Sequence, residues 1–128
     1  MRRYHPRPDG LAAANGFSQA VEFDGKLVAI SGQVAYDADG RLVGPGDAEA
    51  QTRQVFANLR IALAAVGADF NHVVKFTLYL TDRADLDTVR RVRNEVIDPS
   101  AAPASTLVIV SGLVDPALRV EIDALAAV

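Results

Sequence analysis

Cysteine and tryptophan are both absent from the 128 residues, and there are only one methionine and two histidines. Without cysteine there is no disulfide, no thiolate nucleophile, no iron–sulfur cluster and no cysteine zinc site. His5 and His72 stand far apart with no ligand-spaced companions, so no metal site is expected. An excess of positive charge is missing too: 13 Lys and Arg against 16 Asp and Glu give a net charge of −3. That balance offers no electrostatic footprint for a nucleic-acid backbone or an anionic membrane. No apolar run approaches membrane-spanning length. The opening MRRYHPRPDG is basic but runs into Pro, Asp and Gly with no apolar stretch behind it, unlike a secretory signal. The expected compartment is the cytoplasm.

What is present is an ordinary globular composition, 50% hydrophobic and 23% charged, at a length that suits residues 1–128 forming a single domain. Residues 17–23 and 26–31 flank Asp24-Gly25 and predict a β-hairpin. The turn-rich stretch 36–46 reads as a connector with a short strand at Arg41–Val43. Asp47 then stands as a helix N-cap, Val55, Leu59, Ala62, Leu63 and Val66 follow at helical spacing, and Gly67 supplies a stop, which predicts a helix over 47–66.

Residues 72–80 predict a strand, with Val74, Phe76, Leu78 and Leu80 on one face and Val73, Lys75, Thr77 and Tyr79 on the other. Asp82 and Asp85 open a second helix carrying Leu86, Val89, Val92 and Val96, which Pro99 ends. Strands over 105–111 and 118–124 complete the chain. In the last one Val120, Ile122 and Ala124 oppose Arg119, Glu121 and Asp123.

This order predicts an α+β fold with two helices on one face of a sheet. Two helices cover only one face of four or more strands. The other face, expected to carry Val73, Tyr79, Leu107 and Ile109, would be a large apolar patch requiring another subunit. The alternative is a monomer whose connector or termini fold over that face.

Five short stretches occur in order: Phe17-Ser18-Gln19-Ala20, Ser31-Gly32-Gln33, Gln51-Thr52 with Asn58-Leu59, Pro103-Ala104-Ser105-Thr106, and Val120-Glu121-Ile122. Together they resemble the RidA/YjgF family, also called the endoribonuclease L-PSP family, over nearly the whole chain. The resemblance implies a chorismate-mutase-like fold, with one mixed sheet and two helices packed on one face. It further implies a homotrimer with clefts between subunits. It implies cofactor-free hydrolysis of reactive enamines and imines to keto acid and ammonia, in which an arginine holds the substrate carboxylate and a glutamate positions water. No metal or organic cofactor is expected.

Glu121 matches the family glutamate, so the resemblance makes it the acid–base residue. Read without the family, it is an exposed residue alternating with Arg119 and Asp123. The arginine is missing: the family pattern Pro-Ala-Arg-Ser/Thr reads Pro103-Ala104-Ser105-Thr106 here. A hydroxyl at Ser105 cannot replace the two-pronged, charged guanidinium, and losing that contact would weaken handling of 2-imino acids by about one to two orders of magnitude. Phe17 stands where tyrosine is common; it either stacks on a planar ligand or packs in the core. Arg90 stands where members often have asparagine. With Arg91 and Arg93 it forms either a solvated basic helix face or a positive charge near the cleft. Ser31 and Gly32 form either a backbone amide site or a simple turn. Gln51 and Asn58 suit helix packing, and Thr106 either orients a ligand or serves only as a strand residue.

The expected function is hydrolysis of a small planar metabolite by a deaminase-type reaction, at a pocket of Glu121, Ser105, Thr106, Phe17, Ser31, Gly32 and Arg90. The alternative is a non-catalytic metabolite-binding member. RNA cleavage, associated with some members, is disfavoured by the acidic balance and the lack of a histidine pair.

Overall fold

The computed structural model describes residues 1–128. Its elements are β1 (Arg2–His5), β2 (Ala20–Phe23), β3 (Leu27–Gln33), α1 (Ala48–Ala64), β4 (Val73–Leu80), α2 (Leu86–Val96), β5 (Ala104–Ile109) and β6 (Val120–Ala127). A mixed four-stranded sheet has the order β3-β6-β4-β5; the β4–β5 pair is parallel and the others antiparallel. The architecture is α+β, as the sequence predicts.

Helix α1 begins where Asp47 accepts a hydrogen bond from the Ala50 amide at 3.0 Å. It ends at Ala64, two residues earlier than the spacing suggests, because Gly67 at φ 72° turns the chain back and Ala68 N–H reaches the Leu63 carbonyl. Its buried stripe includes Val55, Phe56, Leu59 and Leu63. Phe56 meets Phe76 edge to face at 5.9 Å, which fastens the helix to the sheet. Helix α2 buries Val89 and Val92 against the same core.

Three expectations need correction. Asp24-Gly25 turns the chain, with Gly25 at φ 114°, but it does not join a hairpin. Strand β2 pairs with the N-terminal β1, which carries no alternation signal, while β3 pairs with the distant β6. The Arg41–Val43 strand is reduced to a single bridge between Tyr36 and Leu42.

The third correction concerns the faces of the sheet. A bulge between Val73 and Lys75 breaks the alternation of β4, so Val73 rather than Val74 joins the core cluster with Phe76, Leu78 and Leu80. The β4–β5 register aligns Ser105, Leu107 and Ile109 with Phe76, Leu78 and Leu80, on the helix-bearing side. Leu107 packs on the core. The open face therefore lacks Val73, Leu107 and Ile109. Registered rows across it are Lys75, Ala104 and Leu125; Thr77, Thr106 and Asp123; and Tyr79, Val108 and Glu121.

Candidate functional site

The open face carries a polar centre. Arg119, just before β6, and Glu121 and Asp123 within it alternate on one side, yet they do not share one role. Arg119 forms a two-pronged pair with Asp85, at 2.8 and 3.1 Å, that ties β6 to the start of α2. Asp85 is thus taken by an ion pair and makes no cap; Asp82 caps the turn ahead of α2 instead. Asp123 accepts a hydrogen bond from the Tyr79 hydroxyl at 3.0 Å. That bond and the Asp123 charge raise the Tyr79 pKa above its usual value, with burial and Glu121 adding to the effect.

Glu121 is left over. It is half-buried and forms no ion pair, and its carboxylate lies against Gly32. A Cβ at position 32 would come within 2.8 Å of Glu121 Cδ and overlap the carboxylate oxygen. Gly32 lies inside β3 at the irregularity between Ile30 and Gln33, so it is not a turn glycine. The missing side chain at Gly32 leaves the room that the Glu121 carboxylate occupies. Ser31 is exposed beside it, and its carbonyl accepts from the Gln33 side-chain Nε2 at 3.1 Å. A groove of 630 Å³ opens from Gly32 along Gln33, Tyr36, Asn58 and Ile61.

A second group forms at the β5 edge. The Ser18 amide donates to the Pro103 carbonyl at 3.0 Å, and the Ser18 hydroxyl donates to the Ala102 carbonyl at 2.6 Å. Ser18 also bridges Ala104. These bonds fasten the Phe17–Ser18 segment to residues 102–104, just ahead of Ser105. Phe17 lies outside the core cluster and lines a 300 Å³ groove with Tyr4, Arg7 and Ser100, which corrects its reading as a core residue.

The sequence reading grouped Arg93 with Arg90 and Arg91 and missed its burial. It is 3% exposed, and it donates to the Asn15 carbonyl at 3.1 Å and to Asn94 Oδ1. A Cβ at Gly16 would overlap its guanidinium, so Arg93 underpins the loop that presents Phe17. The basic run of α2 is therefore not one solvated face. Arg91 pairs with Glu49 on α1, Arg93 is buried, and Arg90 is half-buried with its Nε enclosed and unpartnered. The signal for Arg93 was its spacing: with Val89, Val92 and Val96 it falls on the inward side of α2.

Gln51 and Asn58 serve packing, as expected. Gln51 is fully buried; it donates to the Gly44 and Ala117 carbonyls and accepts from the Arg119 amide. Asn58 donates to the Val34 and Tyr36 carbonyls, tying α1 to the end of β3.

Within one chain the two groups stay apart. Glu121 aligns with Tyr79 and Tyr79 with Val108, so Ser105 lies two strands away and three residues back along β5. That separation is roughly 10 Å across and about 10 Å along the sheet. Ser105 is registered to the helix-bearing face and Glu121 to the open one. Thr106 is exposed on the Glu121 side. His5 contacts Glu22, His72 contacts Asp69, and no cluster of three His, Asp or Glu could hold a metal.

Comparison with known proteins agrees with this fold and with the family resemblance. Protein DfrA of Myxococcus xanthus is 42% identical over 115 residues, covering 89% of this chain and 86% of that protein. The 2-iminobutanoate/2-iminopropanoate deaminase of Mus musculus is 38% identical over 115 residues, 90% of this chain and 83% of that one. The crystal structure of YyfB, a Rid-family protein of unknown function from Yersinia pestis, superimposes with a TM-score of 0.88 at 35% identity. It covers 99% of this chain and 98% of its own. The Endoribonuclease L-PSP family model matches residues 8–128, and the chain belongs to that family, the RidA/YjgF proteins.

Proposed function

We propose that this chain forms a homotrimer whose clefts between subunits hydrolyse a small planar imine or enamine without a cofactor, with Glu121 as the acid–base residue. One observation carries the reading. Of the three charged residues that alternate from Arg119 into β6, only Glu121 is uncommitted, and a glycine leaves room for its carboxylate. Such a group can take a proton from water as the oxygen attacks the C=N carbon and return it to the departing nitrogen. An iminium and one water become a carbonyl compound and ammonium, with no electron acceptor required. Acid–base assistance of this kind contributes about 10²–10⁴ in rate. The deaminases among the relatives support the reaction class.

The separation of Glu121 and Ser31-Gly32 from Phe17 and Ser105 supports a cleft made by two copies. No small molecule could touch both groups on one chain, whereas a neighbour's β5 edge set against the open face would bring them together. Ser105 contributes a hydroxyl and no charge, so a 2-imino acid held from β5 alone would bind about 10–100-fold more weakly than with arginine there. The same absence favours a second reading, a cleft that binds its metabolite without chemistry.

The test is to add the purified protein to an imine-generating amino-acid oxidase reaction and follow release of the 2-oxo acid. We expect wild-type protein to accelerate release and Glu121→Gln to lose at least tenfold of that acceleration. Equal rates for the two proteins would remove Glu121 from the chemistry. Saturable binding of a 2-oxo acid with no acceleration would select the binding reading.

A further inference from the structure

Several arginines on the helices and on the approach to β6 have carboxylate partners. Arg53 meets Glu95 at 2.6 Å, Arg91 meets Glu49, and Arg119 meets Asp85. On α2 two do not. Arg90 makes no ion pair although its Nε is enclosed, and Arg93, almost wholly buried, is bonded only to neutral oxygens of Asn15 and Asn94. Positions 90 and 93 are i, i+3 neighbours on one side of the helix. Burial and the nearby Arg90 charge both lower the Arg93 pKa. Two like charges side by side, partly out of water and without a counter-charge, form an arrangement that a bound anion relieves.

Their place in the fold says where that anion would sit. Arg93 holds the Asn15–Gly16 loop; Ser18, two residues on, is bonded to residues 102–104, and Ser105 follows. Helix α2 is the crossover between parallel strands β4 and β5, and the register puts Ser105 on the side of the sheet that bears it. Where the family pattern has arginine on β5 and often asparagine on α2, this chain has Ser105 and Arg90.

We propose that the anion-binding charge of this site has moved from β5 to α2: Arg90, backed by Arg93, holds the carboxylate of a planar metabolite over the space that Ser105 leaves open. This rests on the cleft described above, and it makes the substrate an acid rather than a neutral imine. A guanidinium with a free edge offers a carboxylate two parallel N–H bonds, which a lysine or serine cannot.

Binding of 2-oxobutanoate and of its neutral amide, measured by calorimetry on the intact oligomer, tests this without turnover. We expect Arg90→Asn to weaken 2-oxobutanoate binding about 10–100-fold and to leave the amide within twofold. The double variant Arg90→Asn/Ser105→Arg, which returns the charge to β5, should recover most of the loss. Unchanged acid binding in Arg90→Asn overturns the proposal, as does equal weakening of acid and amide. No binding of the acid by wild-type protein also overturns it. So does a fall in light-scattering mass on Arg90→Asn, which would make Arg90 a contact between subunits. The two readings fail separately. If Arg90 governs acid binding but no imine is hydrolysed, the catalytic reading falls and the anchor stands. If Glu121 governs hydrolysis but Arg90→Asn changes nothing, the reverse holds.

Discussion

At the residue scale, the contact between Gly32 and Glu121 separates function from stability. Gly32→Ala introduces a Cβ where the carboxylate lies, but the obstacle is the end of a flexible side chain and the backbone there is ordinary strand. The side chain can swing away at little cost to the fold. We expect Gly32→Ala to melt within a few degrees of wild type and to lose about tenfold or more in turnover, read by calorimetry and oxo-acid release. A large fall in melting temperature would mean that the glycine serves the strand and not the carboxylate. Tyr79 offers a pH signature. Its folded pKa is raised, so its contribution to stability is present below the free phenol value of about 10 and is lost as pH rises through the higher folded value. Ultraviolet titration should show a phenol that ionises late, and Tyr79→Phe should remove it.

At the element scale, helix α1 is attached by buried amides as well as by apolar packing. Gln51→Ala would orphan the Ala117 carbonyl, the Arg119 amide and one bond to Gly44 in a place closed to water. Urea denaturation should register a loss of about 2–4 kcal/mol. A loss under 1 kcal/mol would mean that water replaces the side chain. The pairs Arg53–Glu95 and Arg91–Glu49 join α1 to α2 on the exposed side. Hydrogen bonds from the arginines lower the pKa of both glutamates, so this stabilisation is present above the free glutamate value of about 4.3 and disappears as pH falls through the folded values. These elements were the most legible in the sequence. Capping residues, 3.6-residue spacing and stop residues act within a few positions, so Asp47, Val55, Leu59 and Gly67 mark α1 without knowledge of the rest. Strand pairing is not local: β2 is adjacent to β3 in sequence but joins β1, because the C-terminal β6 takes up the inner edge of β3.

For the whole molecule, the open face sets the expectation. Leu27 and Val108 are 57% and 39% exposed on it, beside Ala29, Leu125 and the half-buried Glu121 centre. Light scattering should give about three times the 13.6 kDa of one chain. Val108→Asp should lower that mass and abolish turnover while far-ultraviolet circular dichroism stays intact, since the side chain lies outside the core. A stable 13.6 kDa particle that still turns over substrate would end the two-copy account of the cleft. The sequence argued for a partner from Val73, Leu107 and Ile109. The bulge and the parallel register turn those residues toward the helices, so the uncovered surface is smaller and more polar than alternation suggests.

From the sequence alone came the family, the two helices, most of the strand positions, and the choice of Glu121, Gly32 and Ser105 as candidate site residues. These depend on short-range spacing and on motifs that survive as strings. Tertiary structure decided which strands pair, which of three alternating charges is free, that Glu121 lies in the space a side chain at position 32 would take, and that Arg93 is buried while Arg90 keeps an unpaired charge. The physical reason is the same in each case. A side chain's partners lie tens of residues away, and a single bulge or a choice of register reassigns every face beyond it.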